Sequence, residues 1–214
     1  KFINISNLEI DNATFAIAEK KYNTENTSGK TSKSLQRYLE KFPEGTHSVK
    51  ALSYLADIFF KTNQFEKARS NYILLLNEKD AEYTEIALNK LSQIYLEEEE
   101  DFEKALPLLK RLEQEGYILE NILFAQSNLM KGYYKTSEYG FAIAYAQKML
   151  QKEKIATAIE NDAKMIIARS SIKNKDFPTA AEYYSQLEET ATGSLKSETL
   201  YYKAYFKNIE KEYQ

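Results

Sequence analysis

Few residues of this chain have side chains suited to catalysis or metal binding. The only histidine is His47, and there is no cysteine. A nucleophile, a general base or a metal ligand needs partner side chains around it, and no second histidine or thiolate is available. His47 follows Pro43-Glu44-Gly45, so we expect it to begin a helix or to lie in a loop. The sequence therefore predicts no catalytic residue and no metal site at His47.

A run of five acidic residues, Glu97–Asp101, lies between two predicted helices. A calcium loop wraps its oxygen ligands around the ion with the help of a turn-forming glycine, and this run contains none. Asp101 is placed to cap the following helix, whose N-terminal dipole favours negative charge. We expect a solvated turn here. With no glycine-rich phosphate loop either, the sequence predicts no cofactor and no enzyme activity.

These residues are positioned by an internal repeat. Four times an aromatic residue precedes an alanine by three positions: Phe65/Ala68, Phe102/Ala105, Tyr139/Ala142 and Phe177/Ala180. A fifth aromatic, Tyr213, continues the series at a spacing of 36 to 38 residues. Self-similarity at such a period indicates an array of supersecondary units.

Each repeat is predicted to be a pair of helices. In the first clear copy, Leu55 and Phe59 lie on one helical face within residues 47–62. The pattern breaks at residues 62–64, and Phe65 opens a second helix. A small alanine at the pairing positions lets antiparallel helices approach closely. The chain contains only 6 glycines and 3 prolines, which favours long helices with short connections.

This pattern resembles the tetratricopeptide repeat family, whose unit of about 34 residues is a helix–turn–helix. The matching motifs are Leu-Gly/Ala-x-x-Tyr in the first helix and Tyr/Phe-x-x-Ala in the second, and they cover residues 47–214. The chain departs from the family in its longer period and its lack of tryptophan. The resemblance implies an all-α, right-handed superhelix of antiparallel helix pairs, with about eleven helices.

The implied organisation is one continuous solenoid. Residues 1–46 form a degenerate N-terminal helical hairpin: 11–23 are its first helix, Asn23–Lys30 an enlarged turn, and Pro43-x-Gly45 stops its second helix. Residues 47–214 form the repeat array, with copies at 47–82, 83–119, 120–156 and 157–194 and a truncated copy at 195–214.

In the family that the chain resembles, particular first-helix positions line a concave groove. Carried over to this chain, they place cations and aromatics on four of the five repeats: Phe60, Lys61, Lys131, Tyr134, Lys135, Arg169, Lys173, Tyr201 and Tyr205. A basic surface with aromatic walls suits an acidic or extended peptide. The alternative is that four of these, Lys131, Lys135, Arg169 and Lys173, align by chance on a hydrated face among the 29 cations of the chain.

Composition limits the classes of partner. The net charge of −3 gives no support for nucleic-acid binding. No apolar run approaches the roughly 20 residues of a membrane span. The groove positions also lack the Lys-Asn-Asn-Lys-Arg clamp of the chaperone-binding members, so the resemblance does not imply a chaperone-tail adaptor.

The resemblance implies a non-catalytic scaffold that binds a partner protein or an extended peptide as part of a larger protein. One alternative is a structural spacer or self-association module without a groove ligand, and another places an enzyme's chemistry outside this segment. The segment Tyr38–Gly45 resembles tetratricopeptide proteins of bacterial envelopes, which favours the periplasm or cell envelope over the cytoplasm. The partner and the oligomeric state stay open.

Overall fold

The computed structural model describes residues 5–25, 27–78 and 80–212. These residues form eleven α-helices and no strand, in two compact units among residues 1–100 and 101–214. The first unit contains α1 (Ile5–Thr24), α2 (Gly29–Lys41), α3 (Ser48–Lys61), α4 (Phe65–Leu75), α5 (Ala81–Gln93) and a π-helical turn (Ile94–Glu98). The second unit contains α6 (Phe102–Glu115), α7 (Leu119–Lys135), α8 (Tyr139–Leu150), α9 (Thr157–Lys173), α10 (Phe177–Leu187) and α11 (Gly193–Glu212).

Within each unit, helices that follow one another in the chain pack side by side. The alanines at the predicted pairing positions are all fully buried, at 0% exposure: Ala68, Ala105, Ala142 and Ala180. A larger side chain there would push the packed helices apart. The predicted all-α fold of helix pairs is thereby confirmed. Tyr213, the last aromatic of the series, lies outside the described residues.

The turn that leads into each second helix has a conformation that the repeat alone does not predict. The residue two positions before the helix-opening aromatic has a positive φ in every copy: Asn63 (56°), Glu100 (50°), Ser137 (63°) and Lys175 (61°). Only Asn63 is of a type that favours this left-handed region. The residue that follows is the N-cap of the second helix. At Asp101, for example, Oδ1 accepts a hydrogen bond from Lys104 N (3.0 Å).

The copy that begins with α5 has one extra residue, and a π-helical turn absorbs it. Phe102 follows Tyr95 by one residue more than Phe65 follows Phe59. Glu99 N accordingly donates to the carbonyl of Ile94, five residues back. The sequence predicts a solvated turn at Glu97–Asp101. Glu97 and Glu98 instead belong to the π-helical turn. The predicted helix cap at Asp101 is confirmed.

The N-terminal hairpin is larger than predicted, and its turn is shorter. The helix predicted at residues 11–23 extends over Ile5–Thr24, and the second helix already begins at Gly29. Ser28 makes this early start favourable, because its Oγ accepts a hydrogen bond from Lys30 N (3.2 Å). The predicted stop at Pro43 is confirmed, since α2 ends at Lys41.

A buried polar contact closes this hairpin. Tyr38 donates its hydroxyl hydrogen to Asp11 (2.5 Å), and Asp11 also accepts from Thr46 N (2.8 Å). Gly45 fits against this pair only because it lacks a Cβ atom. A Cβ there would lie 2.8 Å from the Tyr38 hydroxyl and 3.0 Å from an Asp11 oxygen.

Candidate functional site

The candidate site in the second unit is the face that α7, α9 and α11 share, the helices that open three successive repeats. Lys131 of α7 forms an ion pair with Asp162 of α9, with Nζ 2.6 Å from Oδ2. One predicted groove cation is therefore neutralised by the neighbouring repeat. Successive first helices are thus linked directly to each other through their side chains.

Two hydrogen bonds from one arginine link α9 to α11 on this face. Arg169 pairs with Glu198 through both its Nε, at 2.7 Å, and its Nη2. Tyr184 of α10 donates to the same carboxylate at 2.6 Å. The hydrogen bonds from Arg169, opposed by burial and supported by Tyr184, lower the pKa of Glu198. Arg169 is consequently a structural cation whose charge is already balanced.

The other two predicted cations on this face remain available. Lys135 at the end of α7 and Lys173 at the end of α9 are both exposed. Among the residues that the structure describes, neither forms an ion pair. They follow Lys131 and Arg169 by four residues, so each lies one turn further along the same helical face.

The aromatic residues predicted for this face differ in burial. Tyr134 is half-buried against Tyr139, with ring centroids 5.9 Å apart. Tyr201 and Tyr205 of α11 stack at 6.3 Å and 12° but stay 63% and 42% exposed. Aromatic side chains this exposed are the ones that carry binding energy when a partner covers them.

In two of the three Tyr-Tyr dipeptides, one tyrosine is buried in the core and the other lies at its edge. Tyr133 and Tyr184 are buried, whereas the adjacent Tyr134 and Tyr183 are half-buried. In α11 the half-buried Tyr202 stacks on Tyr184 at 4.7 Å. The tyrosine-rich composition therefore serves mainly to pack helices.

On the corresponding face of the first unit, polar side chains of α1 and α3 are likewise paired with each other. Tyr22 of α1 donates to Asp57 of α3 at 2.6 Å, and Lys61 pairs with that carboxylate at 2.7 Å. Lys50 and Tyr54 both reach Glu19 of α1, at 2.8 and 3.0 Å.

Of the two site residues predicted in the first unit, Lys61 is therefore internally paired. Phe60 is half-buried, with its ring centroid 5.9 Å from that of Phe65. Phe60 and Lys61 lie in the first unit and the other seven predicted residues in the second, so the structure groups them as two separate sets.

A third polar cluster was not predicted from the sequence. Glu113 of α6 accepts hydrogen bonds from Tyr145 (2.7 Å), Gln126 (2.9 Å) and Lys148. Burial alone would raise the pKa of Glu113, but these three hydrogen bonds lower it. Glu113 joins three helices, and nothing in the spacing of the sequence distinguishes it from the neighbouring surface glutamates.

His47 has a structural role. Its ring stacks on Phe15 at 4.4 Å, and its Nε2 lies 2.9 Å from Asn12 Oδ1. In the described part of the chain, no group of three or more histidine or acidic side chains is arranged to hold a metal ion. No helix among these residues is both long and apolar enough to cross a membrane.

No known family model and no curated protein matches this chain. Among solved structures it is similar to PilW, described as a widely conserved type IV pilus biogenesis factor. The TM-score is 0.48 with 16% identity, covering 84% of this chain and 77% of that one. It is also similar to Pseudomonas aeruginosa PilF, with a TM-score of 0.42 and 17% identity over 94% and 98% of the two chains.

The assignment of the fold rests on the helices themselves, which recur in pairs along each unit. Alanine is buried at each of the predicted pairing positions. By this repeat, the chain is an all-α protein of repeated helix pairs.

Proposed function

We propose that the chain is a non-catalytic protein-interaction scaffold that binds an extended peptide across the face shared by α7, α9 and α11. The observation that carries the proposal is the stacked pair Tyr201 and Tyr205, which stays exposed while its neighbour Phe206 is buried. Exposed aromatics next to a packed cluster offer a rigid contact surface at low entropic cost.

The preferred ligand is acidic. Lys135 and Lys173 are the cations of this face that no described residue neutralises. Lys135 and Lys173 attract a partner carboxylate by electrostatic steering and by ion pairing at short range. Lys131 and Arg169 instead hold neighbouring repeats together through their ion pairs. The binding surface is therefore two lysines and two tyrosines rather than a patch of four cations.

A selected peptide tests this proposal. A displayed random peptide library is panned against the chain, and the dissociation constants of the recovered peptides are measured by fluorescence anisotropy. The Lys135→Glu/Lys173→Glu variant is compared with the matched control Lys33→Glu/Lys154→Glu, which reverses two exposed lysines elsewhere. Arg169 and Lys131 are left unchanged because reversing them would break ion pairs between repeats.

We expect acidic peptides whose affinity falls about tenfold in the first variant and stays within about twofold in the control. Equal losses in both variants would contradict the proposed face.

The second candidate is a structural spacer without a groove ligand. It is favoured by the number of charges on these faces that are already paired between repeats, such as Lys131 with Asp162 and Lys50 with Glu19. Recovery of no binding peptide at all would support it.

We also propose a bacterial periplasmic or cell-envelope location, supported by the resemblance of the segment Tyr38–Gly45. Fractionation of the source cell with an antibody against the chain tests that location.

A further inference from the structure

The first unit has a small cleft where the π-helical turn meets the turn between α3 and α4. Phe60 and Phe65 form one side, and Gln93, Glu97 and Glu98 form the other. Its volume is about 180 Å³. Sites for drug-sized ligands enclose about 300–1,000 Å³, so this cleft has room for a single side chain rather than a cofactor.

The aromatic side of the cleft is a pair of phenylalanine rings. Phe60 and Phe65 meet edge to face, with centroids 5.9 Å apart and planes at 77°. Both rings are only half-buried, so they keep accessible surface. Aromatic ring faces carry negative potential and attract a cation placed over them.

The chain itself already places a cation against this wall. Lys90 Nζ lies 4.6 Å from the centroid of Phe60 and donates to Gln93 Oε1 at 3.2 Å. Lys90 is half-buried, and burial lowers its pKa, against the attraction of Asp57 and Glu97. Lys90 does not line the cleft, so its contact shows that the Phe60 ring attracts a cation even where burial opposes the charge.

The opposite side of the cleft carries two carboxylates at the C-terminal end of a helix, where negative charge is unfavourable. Glu97 and Glu98 are exposed, and among the described residues neither forms an ion pair. They lie in the last turn of the helix that starts at Ala81, where the macrodipole is negative. Two carboxylates at that end repel the helix carbonyls, and a bound cation would relieve the repulsion.

The π-helical turn is what brings these carboxylates to the cleft. It absorbs the one extra residue of this copy, and the other copies in the described chain lack such a turn. Single π-helical turns within α-helices occur frequently at functional sites.

From charge, shape and the aromatic wall, we propose that the cleft binds an arginine side chain of a partner protein. A planar guanidinium can lie against a phenylalanine ring and still donate to a carboxylate, whereas an ammonium group offers only a point charge. The inference goes beyond the acidic-peptide face of the second unit, because it assigns a different site with the opposite charge preference. It rests on the proposed scaffold function only in assuming that a partner protein supplies the arginine.

The test uses a small probe and the whole chain. Nα-acetyl-arginine methylamide is titrated into the ¹⁵N-labelled protein while amide chemical shifts are followed by NMR. Nα-acetyl-citrulline methylamide is the neutral control of nearly the same shape. The variant Glu97→Gln/Glu98→Gln removes the carboxylates, and Glu40→Gln/Glu78→Gln removes two exposed charges elsewhere in the same unit. Far-UV circular dichroism verifies that both variants keep the helical content of the wild type.

We expect saturable shifts at Phe60, Phe65 and the π-helical turn with the arginine probe and none with citrulline. Binding should weaken by about fivefold in Glu97→Gln/Glu98→Gln and stay unchanged in Glu40→Gln/Glu78→Gln. Three results would overturn the proposal: equal shifts with both probes, equal weakening in both variants, or no saturable shift up to about 50 mM arginine probe. None of these depends on peptide binding to the second unit, so failure here and failure of the proposed function are separate results.

Discussion

Arg169 of α9 and Glu198 of α11 form an ion pair that joins the first helices of two successive repeats, with Arg169 Nε 2.7 Å from Glu198 Oε1. The hydroxyl of Tyr184 donates to the same carboxylate at 2.6 Å. Arg169, which the sequence pattern places in the ligand-binding groove, is therefore already paired within the protein.

Neutralising Glu198 should destabilise the chain in a pH-dependent way. The folded-state pKa of Glu198 is lowered by its hydrogen bonds from Arg169, against burial, so its contribution is present above the unfolded-state pKa of about 4.3. That contribution is lost as the pH falls through the lower folded-state pKa. Urea unfolding of Glu198→Gln should show a loss of about 1–3 kcal/mol at pH 7, and the difference from wild type should shrink below about pH 4.

The matched control for this experiment is Glu189→Gln, which removes an exposed carboxylate from the same unit. It should change the unfolding free energy by less than about 0.5 kcal/mol at any pH. A Glu198→Gln effect that stays constant down to pH 3 would contradict the assigned ion pair.

A large side chain at a buried pairing position should disrupt helix packing. Ala142 is fully buried in α8, whereas Ala144 on the same helix is exposed. Ala142→Leu should lower the free energy of unfolding by about 1–3 kcal/mol through overpacking, and Ala144→Leu should leave it nearly unchanged. Chemical denaturation of the two variants checks this, and equal effects would mean that Ala142 is not at a close helix contact.

The turn between α2 and α3 should tolerate no side chain at Gly45. Its Cβ would lie 2.8 Å from the Tyr38 hydroxyl, so Gly45→Ala should cost about 1–3 kcal/mol. Gly140, in the first turn of α8, has open space around it. Gly140→Ala should therefore stabilise the chain by up to about 1 kcal/mol. The midpoints of thermal unfolding of the two variants should shift in opposite directions. A Gly45→Ala variant as stable as the wild type would contradict the close packing of Gly45 against Asp11 and Tyr38.

Removing the carboxylates of the π-helical turn should stabilise the free protein. Glu97 and Glu98 lie at the negative end of the helix dipole, so Glu97→Gln/Glu98→Gln should raise the free energy of unfolding by about 0.5–1 kcal/mol. The gain should disappear in about 1 M salt because these charges are exposed. A destabilised variant would indicate that the two carboxylates have partners that support the fold.

The helices and their pairing could be predicted from the sequence because aromatic and alanine spacing records which faces are buried. Each second helix begins at the residue that the pattern indicates, from Phe65 to Phe177. The left-handed turn residues could not be predicted, since glutamate, serine and lysine occupy three of the four positions and none of them favours that conformation. The extra residue before Phe102 was visible in the spacing, but its accommodation as a π-helical turn was not.

The candidate site was predicted less completely, for a physical reason. The sequence predicts Lys131 and Arg169 in the groove, but their pairing with Asp162 and Glu198 depends on the register of neighbouring helices. Spacing within one helix carries no information about that register. Only the structure distinguishes these paired charges from Lys135 and Lys173.

The most direct test of the scaffold proposal is the affinity of a panned peptide for a chain without the exposed tyrosine pair. Tyr201→Ser/Tyr205→Ser is compared with Leu74→Ser, which removes an exposed apolar side chain from α4 of the other unit. We expect at least about tenfold weaker binding for the tyrosine variant and a change within about twofold for the leucine variant. Undiminished binding by Tyr201→Ser/Tyr205→Ser would contradict the proposed peptide-binding face.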